Sequence, residues 1–336
     1  MPSSKASPST ASADARAEEL ANRMLPTSAD KKRMLVIVNP YATTVSDRLR
    51  NLVTYALQAR YDVEAVDTER PNHATQICRE AASEGYDVVV AFGGDGTVNE
   101  AANGLLGTET PLCCLPGGAT NVFHRTIGIP NDVVDATEHL LGMADRFEPR
   151  KVDLGMVNGR AFVFSSGVGL DASVVERVDA HPRLKARLGE YYYTWAALST
   201  FNRRYLFNPP QMRITVDGQT LDGVTVVAQN SDPFTYFGSR PIRVCEGAGL
   251  HTGSLGVSVL RRATLLDMPT LIPRLFSGKA EKVSNDRQIA AFRDVDGALV
   301  ETADGRPLPV QVDGDYIGSE ESIRFSAAPA ALTVVS

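Results

Sequence analysis

Residues 87–100 read Asp87-Val88-Val89-Val90-Ala91-Phe92-Gly93-Gly94-Asp95-Gly96-Thr97-Val98-Asn99-Glu100, and this stretch decides the fold. Asp87 to Phe92 is almost wholly apolar, as a strand covered on both faces must be. Glycines follow it, and Val98 to Leu106 has the character of a helix. At such a strand-to-helix junction, glycine lets the backbone approach a ligand with no Cβ in the way. The free N–H groups and dipole of the helix start then favour an anion, typically phosphate. Asp95 stands where a carboxylate could orient a hydroxyl or hold a metal–phosphate complex. The loop lacks the Gly-Lys-Ser/Thr of a Walker A motif and the three-glycine spacing of a dinucleotide fingerprint.

Upstream, Met34 to Val38 is an apolar run closed by Asn39-Pro40, which reads as a buried strand ending in a turn. Ser46 is a plausible N-cap for a helix carrying Leu49, Leu52, Val53, Ala56 and Leu57. Tyr61 to Val66 reads as a strand and His73 to Ser83 as a helix. Strands alternating with helices predict a parallel α/β sheet. Downstream, a short strand over Leu112 to Leu115 runs into a second glycine turn, Leu115-Pro116-Gly117-Gly118-Ala119-Thr120-Asn121. Adjacent strand ends of a parallel sheet share one edge, where ligands bind. Two such turns predict two walls of one phosphate or nucleotide site.

The pattern changes near residue 150. Short strands are expected at Val152–Val157, Ala161–Ser165, Met212–Val216, Val224–Gln229, Leu255–Leu260, Gln288–Phe292 and Leu308–Val312. Helical stretches are expected at Pro182–Tyr205 and Thr264–Phe276. This predicts a Rossmann-like α/β nucleotide domain over 33–149 and a β-rich, sandwich-like domain over 150–320. Residues 1–32 are rich in Ser, Ala and Pro and read as a disordered tail.

With 34 basic against 40 acidic residues, the net charge of -6 argues against bulk nucleic-acid binding. Four cysteines, Cys78, Cys113, Cys114 and Cys245, without C-x-x-C spacing, read as buried free thiols in a reducing compartment. Neither a signal peptide nor an 18-residue apolar span is evident, so a cytoplasmic protein without a transmembrane helix is expected. The five histidines show no metal-ligand spacing. The stretch His181 to Phe207 mixes Arg183, Lys185, Arg187, Arg203 and Arg204 with Tyr191 to Tyr193, Trp195 and Phe201. It suits either an anionic membrane surface or a helix packed by its aromatic side. Thr264 to Phe276 is similarly open between core and lipid cleft.

Gly93 to Glu100 resembles, without a break, the Gly-Gly-Asp-Gly-Thr-x-Asn-Glu signature of the diacylglycerol kinase catalytic-domain family. That family groups bacterial lipid kinases with sphingosine and ceramide kinases. Gly104-Leu105, Asn39-Pro40, Leu115 to Asn121, Phe123 and Gly128-Ile129-Pro130 continue the likeness, and Val312-Asp313-Gly314-Asp315 resembles its Asp-Gly-Glu. The resemblance implies ATP with Mg²⁺ as cofactors and a lipid substrate, met by reversible peripheral contact with a membrane. It implies nucleotide contacts from Asn39, Thr68, Gly93, Gly94, Asp95, Gly96, Thr97, Asn99, Gly118, Ala119, Thr120 and Asn121. Asp313 would match the general base, with Asp315 in reserve and Asp95 as a rival. The last segment, 321–336, would return to the nucleotide domain, and a homodimer is compatible with the pattern. Tyr41 stands where a glycine often follows Asn-Pro, Ala119-Thr120 reverses the usual order, and Asp315 replaces Glu. Thr252 occupies the place of an Asp beside a structural metal, leaving that metal unassigned. The function implied is transfer of the terminal phosphoryl group of ATP to a lipid hydroxyl. An NAD kinase-like enzyme, whose family also carries Gly-Gly-Asp-Gly, and a non-catalytic lipid- or nucleotide-binding protein are the alternatives.

Overall fold

A computed structural model describes residues 31–42, 44–180, 209–264 and 268–336. Residues 1–30 of the expected tail and the basic, aromatic stretch 181–207 lie outside the described residues, and Lys32, placed in that tail, is already the first residue of a strand. The chain divides into two compact units, one running to Arg150 and including Val334–Ser336, the other spanning Lys151–Thr333.

In the first unit, strands β1 (Lys32–Val38), β2 (Tyr61–Asp67), β3 (Val88–Gly93) and β4 (Leu112–Pro116) form a parallel sheet in the order β2-β1-β3-β4. Between them run α1 (Asp47–Leu57), α2 (His73–Glu84) and α3 (Asp95–Leu105), followed by α4 (Val122–Ile127) and α5 (Val133–Met143). Each residue of β3 and β4 is buried, which explains their unbroken apolar sequence. The hydroxyl of Ser46 accepts the Leu49 N–H at 3.2 Å, so α1 begins at the expected cap. Val334 pairs in parallel with Leu112. Arg150 donates to the Ile127 carbonyl and the Ser336 hydroxyl, tying down the chain end. The return to this unit is thus narrower than 321–336, because the preceding residues belong to a strand of the other unit.

The second unit contains β5 (Arg150–Val157), β6 (Arg160–Phe162), β7 (Ser165–Gly169), α6 (Leu170–Asp179), β8 (Met212–Val216), β9 (Gln219–Gly223) and β10 (Thr225–Gln229). Next come β11 (Thr235–Phe237), β12 (Arg240–Ile242), β13 (Leu255–Leu260), α7 (Met268–Leu275) and α8 (Ala280–Ser284). It closes with β14 (Ile289–Val295), β15 (Gly297–Thr302), β16 (Leu308–Val312), β17 (Asp315–Glu320) and β18 (Ser322–Val334). One layer has the order β18-β15-β8-β9, with β5 joined to β18 and β6; the other runs β14-β13-β10-β7-β16-β17. Their inward side chains form one apolar core, in which Phe162 and Phe325 meet edge to face at 6.4 Å. This is a β-sandwich-like domain. The sequence reading missed β9, β11, β12, β15 and β17, short strands that carry no fully buried run to betray them.

All four cysteines are buried and free. Burial pushes the thiols of Cys78, Cys113 and Cys245 up to about 12, so they are packing groups rather than nucleophiles.

Candidate active site

The glycine loop is tighter than the sequence suggested. Helix α3 starts at Asp95, three residues earlier than expected, with Gly94 at its N-cap. Asp95, Gly96 and Thr97 therefore form its first turn, where backbone N–H groups have no partner within the helix. In the register of the sheet Gly93 faces Pro116, which brings the second glycine turn alongside. The Gly117 N–H donates to the Gly93 carbonyl at 2.9 Å, and the Thr44 N–H donates to Gly117 at 3.2 Å. A Cβ on Gly117 would lie 2.8 Å from the Gly93 Cα, and one on Gly118 would lie 2.9 Å from the Gly94 Cα. Side chains at these positions would force the turns apart, so the second turn needs both of its glycines.

Polar side chains stiffen this edge. Asn39 Nδ2 donates to Thr97 Oγ1 at 3.1 Å, while its Oδ1 accepts the Tyr41 N–H at 3.0 Å. The buried Asn121, at φ 49°, accepts the Gly118 N–H and donates to the Gly118 carbonyl and to Asn131. Asp95 Oδ1 accepts the Phe123 N–H at 3.4 Å, linking the first turn of α3 to the start of α4. Thr68, half-buried, donates its N–H to the Val38 carbonyl and stands at the same end of the sheet. Asn39, Thr68, Gly93 to Thr97 and Gly118 to Asn121 are thus brought to one sheet edge. Ala119 is exposed and Thr120 half-buried. Asn99 is buried within the helix packing and sits away from solvent.

Two residues took on roles that the sequence did not reveal. Glu100, the last of the signature, accepts N–H groups from Asn72 and Ala74, and so caps the start of α2. His124 is fully buried, and neither ring nitrogen makes a hydrogen bond of good geometry. Burial pushes its imidazole down to about 4, partly offset by the Leu115 backbone.

The Asp-Gly turn lies in the second unit. Asp313 (φ 49°) and Gly314 (φ 85°) form the two-residue connection between β16 and β17, with Val312 opposite Asp315. Two consecutive left-handed residues are what a tight hairpin with native twist requires, and Asp-Gly supplies them at low cost. The Asp313 carboxylate is only 3% exposed. Its Oδ2 accepts the Val163 N–H at 2.8 Å, and its Oδ1 accepts those of Phe164 and Ser165 at 2.9 and 3.0 Å. Asp315, by contrast, is half-buried at the start of β17. In the same unit, the Thr252 hydroxyl donates to the Gly249 carbonyl at 3.0 Å and closes its own turn. Among the described residues, no three His, Cys, Asp or Glu side chains gather as metal ligands. No helix of the described residues is long and apolar enough to cross a membrane.

Residues 33–157 match the family described as diacylglycerol kinase catalytic domain, and 164–336 match the YegS C-terminal NAD kinase beta sandwich-like domain. The chain is 31% identical over 303 residues to a diacylglycerol kinase of Staphylococcus aureus (strain MRSA252), covering 86% of this chain and 87% of that one. It is 26% identical over 293 residues to the diacylglycerol kinase of Bacillus subtilis (strain 168), covering 85% and 91% respectively. A crystal structure assigned as a diacylglycerol kinase from Bacillus anthracis str. Sterne superposes with a TM-score of 0.68 at 27% identity, covering 92% of this chain and 98% of that one. A parallel-sheet domain with joined glycine turns, followed in the chain by this sandwich, defines a lipid kinase, a phosphotransferase with an alcohol as acceptor. More narrowly, the chain belongs to the diacylglycerol kinase catalytic-domain family.

Proposed function

We propose that the protein transfers the terminal phosphoryl group of ATP to a hydroxyl of a lipid such as diacylglycerol or a sphingoid base, working at a cytoplasmic membrane surface. The observation that carries this reading is the backbone contact between the two glycine turns at the first turn of α3. The contact leaves a cradle without Cβ atoms, rimmed by N–H groups, which fits the phosphates of a nucleotide. The names of the relatives favour diacylglycerol as the acceptor.

Phosphoryl transfer asks for positioning, neutralised phosphate charge and a group to take the acceptor proton. In this reading Gly93, Gly94, Gly96, Thr97 and Gly118 present backbone to the phosphates, while Asn39 fixes the Thr97 hydroxyl. Mg²⁺ bound with ATP would supply charge neutralisation, and Asp95, in the first turn of α3, would hold it. The lipid hydroxyl oxygen bonds to the terminal phosphorus, ADP leaves, and the hydroxyl proton passes to a carboxylate. For that carboxylate we favour Asp315 over Asp313. Asp313 is only 3% exposed and three of its four acceptor sites take buried N–H groups. Asp315 is half-buried, and a general base has to be within reach of the proton it takes. Asp313 then positions the turn that presents Asp315.

An NAD kinase-like activity is the second reading, favoured by the description of the sandwich domain. Purified protein given Mg²⁺ and ATP labelled in its terminal phosphate, with diacylglycerol, sphingosine, ceramide or NAD, separates the two. Label in a lipid is the expected result. Label in NAD, or in none of the four acceptors, would overturn the proposal.

A further inference from the structure

We propose that the β11–β12 hairpin and the end of α7 form a docking surface for an anionic lipid bilayer. The surface deepens the lipid-kinase reading and rests on it for its purpose. Among the described residues five large hydrophobics are exposed, and three of them lie here: Phe237 (39%) on the hairpin, Ile272 (42%) in α7 and Phe276 (48%) directly after it. The Phe276 N–H donates to the Ile272 carbonyl at 3.2 Å, so the two side chains share one helical face. The Phe237 ring meets the Phe276 ring edge to face at 5.6 Å.

This apolar tip is held on a firm base. Among the described residues, strands β11 and β12 pair only with each other, so the hairpin stands apart from both layers of the sandwich. Its inner side chains, Phe234 and Ile242, pack with Leu275 onto Val227, Val244 and Cys245. Arg243 joins hairpin to helix, donating to the Gly278 carbonyl at 3.0 Å and pairing with Asp232 at 2.7 Å. Phe237 and Phe276 lie outside that packed cluster, facing solvent from a fixed platform.

The surroundings are basic. Between the end of α7 and α8 opens a hollow of about 540 Å³ lined by Arg274, Lys279, Glu281, Lys282 and Asn285. Lys279 and Lys282 are exposed, as is Arg240 at the hairpin, whereas Arg274 is drawn to the buried Asp286 at 3.4 Å. Five cations, Arg240, Arg243, Arg274, Lys279 and Lys282, stand against Asp232, Glu281 and Asp286, a positive balance on a chain whose net charge is -6. Aromatic and aliphatic tips ringed by Lys and Arg match the layered chemistry of a bilayer surface, with acyl chains below and phosphate headgroups above. Three half-exposed side chains offer far less than the roughly 800 Å² that each partner of a stable protein complex buries. That disparity favours a bilayer over a second copy of the chain.

The test uses the full chain with vesicles of phosphatidylcholine containing phosphatidylglycerol, and with vesicles of phosphatidylcholine alone. Two double variants, Phe237→Ser with Phe276→Ser and Lys279→Gln with Lys282→Gln, are compared with the parent by sedimentation. The parent is expected to bind the anionic vesicles and to be released by salt, with each double variant binding about tenfold more weakly or worse. Both variants should still phosphorylate a short-chain diacylglycerol dispersed in water. Should that activity be absent from the parent while its vesicle binding is intact, the enzymatic reading fails and the docking surface stands. If the serine pair fails to fold by circular dichroism, the lysine pair, on exposed positions, decides alone. Parent protein that ignores anionic vesicles, or variants that bind them as the parent does, would overturn the proposal. So would a parent dimer that the serine pair dissociates, in sedimentation velocity, without loss of vesicle binding.

Discussion

Gly118 lies so close to Gly94 that a Cβ on the former would stand 2.9 Å from the Cα of the latter. Real Cβ atoms essentially never approach another atom so closely. Gly118→Val should therefore part the two turns and spoil the phosphate cradle, while the strands beneath keep their pairing. The expected outcome is a rise in KM for ATP of about tenfold or more, by the logic of lost positioning, with a native circular dichroism spectrum. ATP kinetics equal to those of the parent would remove the second turn from the site.

The two carboxylates of the β16–β17 hairpin should separate in their effects. Asp313→Asn replaces one acceptor oxygen with an NH₂ that faces buried N–H donors, so stability should fall by about 1–3 kcal/mol. Asp315→Asn should leave the melting temperature near that of the parent and lower kcat by about 10²–10⁴-fold, the usual share of a positioned base. Thermal unfolding and steady-state kinetics on both variants check this. A stable Asp313→Asn protein with lost turnover, beside an active Asp315→Asn, would return the base role to Asp313. Loss of turnover in Asp95→Asn alone would move it to the glycine loop.

His124 should make the protein acid-sensitive. Its folded-state imidazole titrates at about 4, against 6.5 for an ordinary histidine. The unfolded chain therefore binds a proton that the folded one refuses. The neutral-histidine contribution is complete above about pH 6.5 and is lost as the pH falls from there through 4, at most about 3 kcal/mol. Urea unfolding at a series of pH values should show this slope, and His124→Leu should flatten it. An unchanged slope in that variant would assign the acid limb to other groups.

Glu100 should prove a capping residue. Glu100→Ala removes the acceptor of the Asn72 and Ala74 N–H groups, with an expected loss of about 0.5–2 kcal/mol. At a temperature where the variant stays folded, KM for ATP should remain within about twofold of the parent. A large rise in KM with unchanged stability would place Glu100 at the nucleotide instead.

The sequence by itself determined the parallel sheet, because a strand buried on both faces has to be an unbroken apolar run, as Val88 to Phe92 is. It determined the two phosphate-type turns as well, since only glycine at 117 and 118 lets the second turn approach the backbone of Gly93 and Gly94. It determined the start of α1, through the hydroxyl of Ser46. Only the tertiary structure decided what the polar signature residues touch. Glu100 reads as part of a phosphate motif, yet its partners Asn72 and Ala74 come from an earlier helix. Asp313 reads as a base, yet Val163, Phe164 and Ser165, some 150 residues back in the chain, take three of its four acceptor sites. His124 has no spacing in the sequence to mark it, and only the packing around α4 removes it from water. Hydrophobic runs and glycine turns are local, so one stretch of chain reports them. A carboxylate's charge and a histidine's proton depend on neighbours that folding brings from afar, and no single stretch of sequence carries that information.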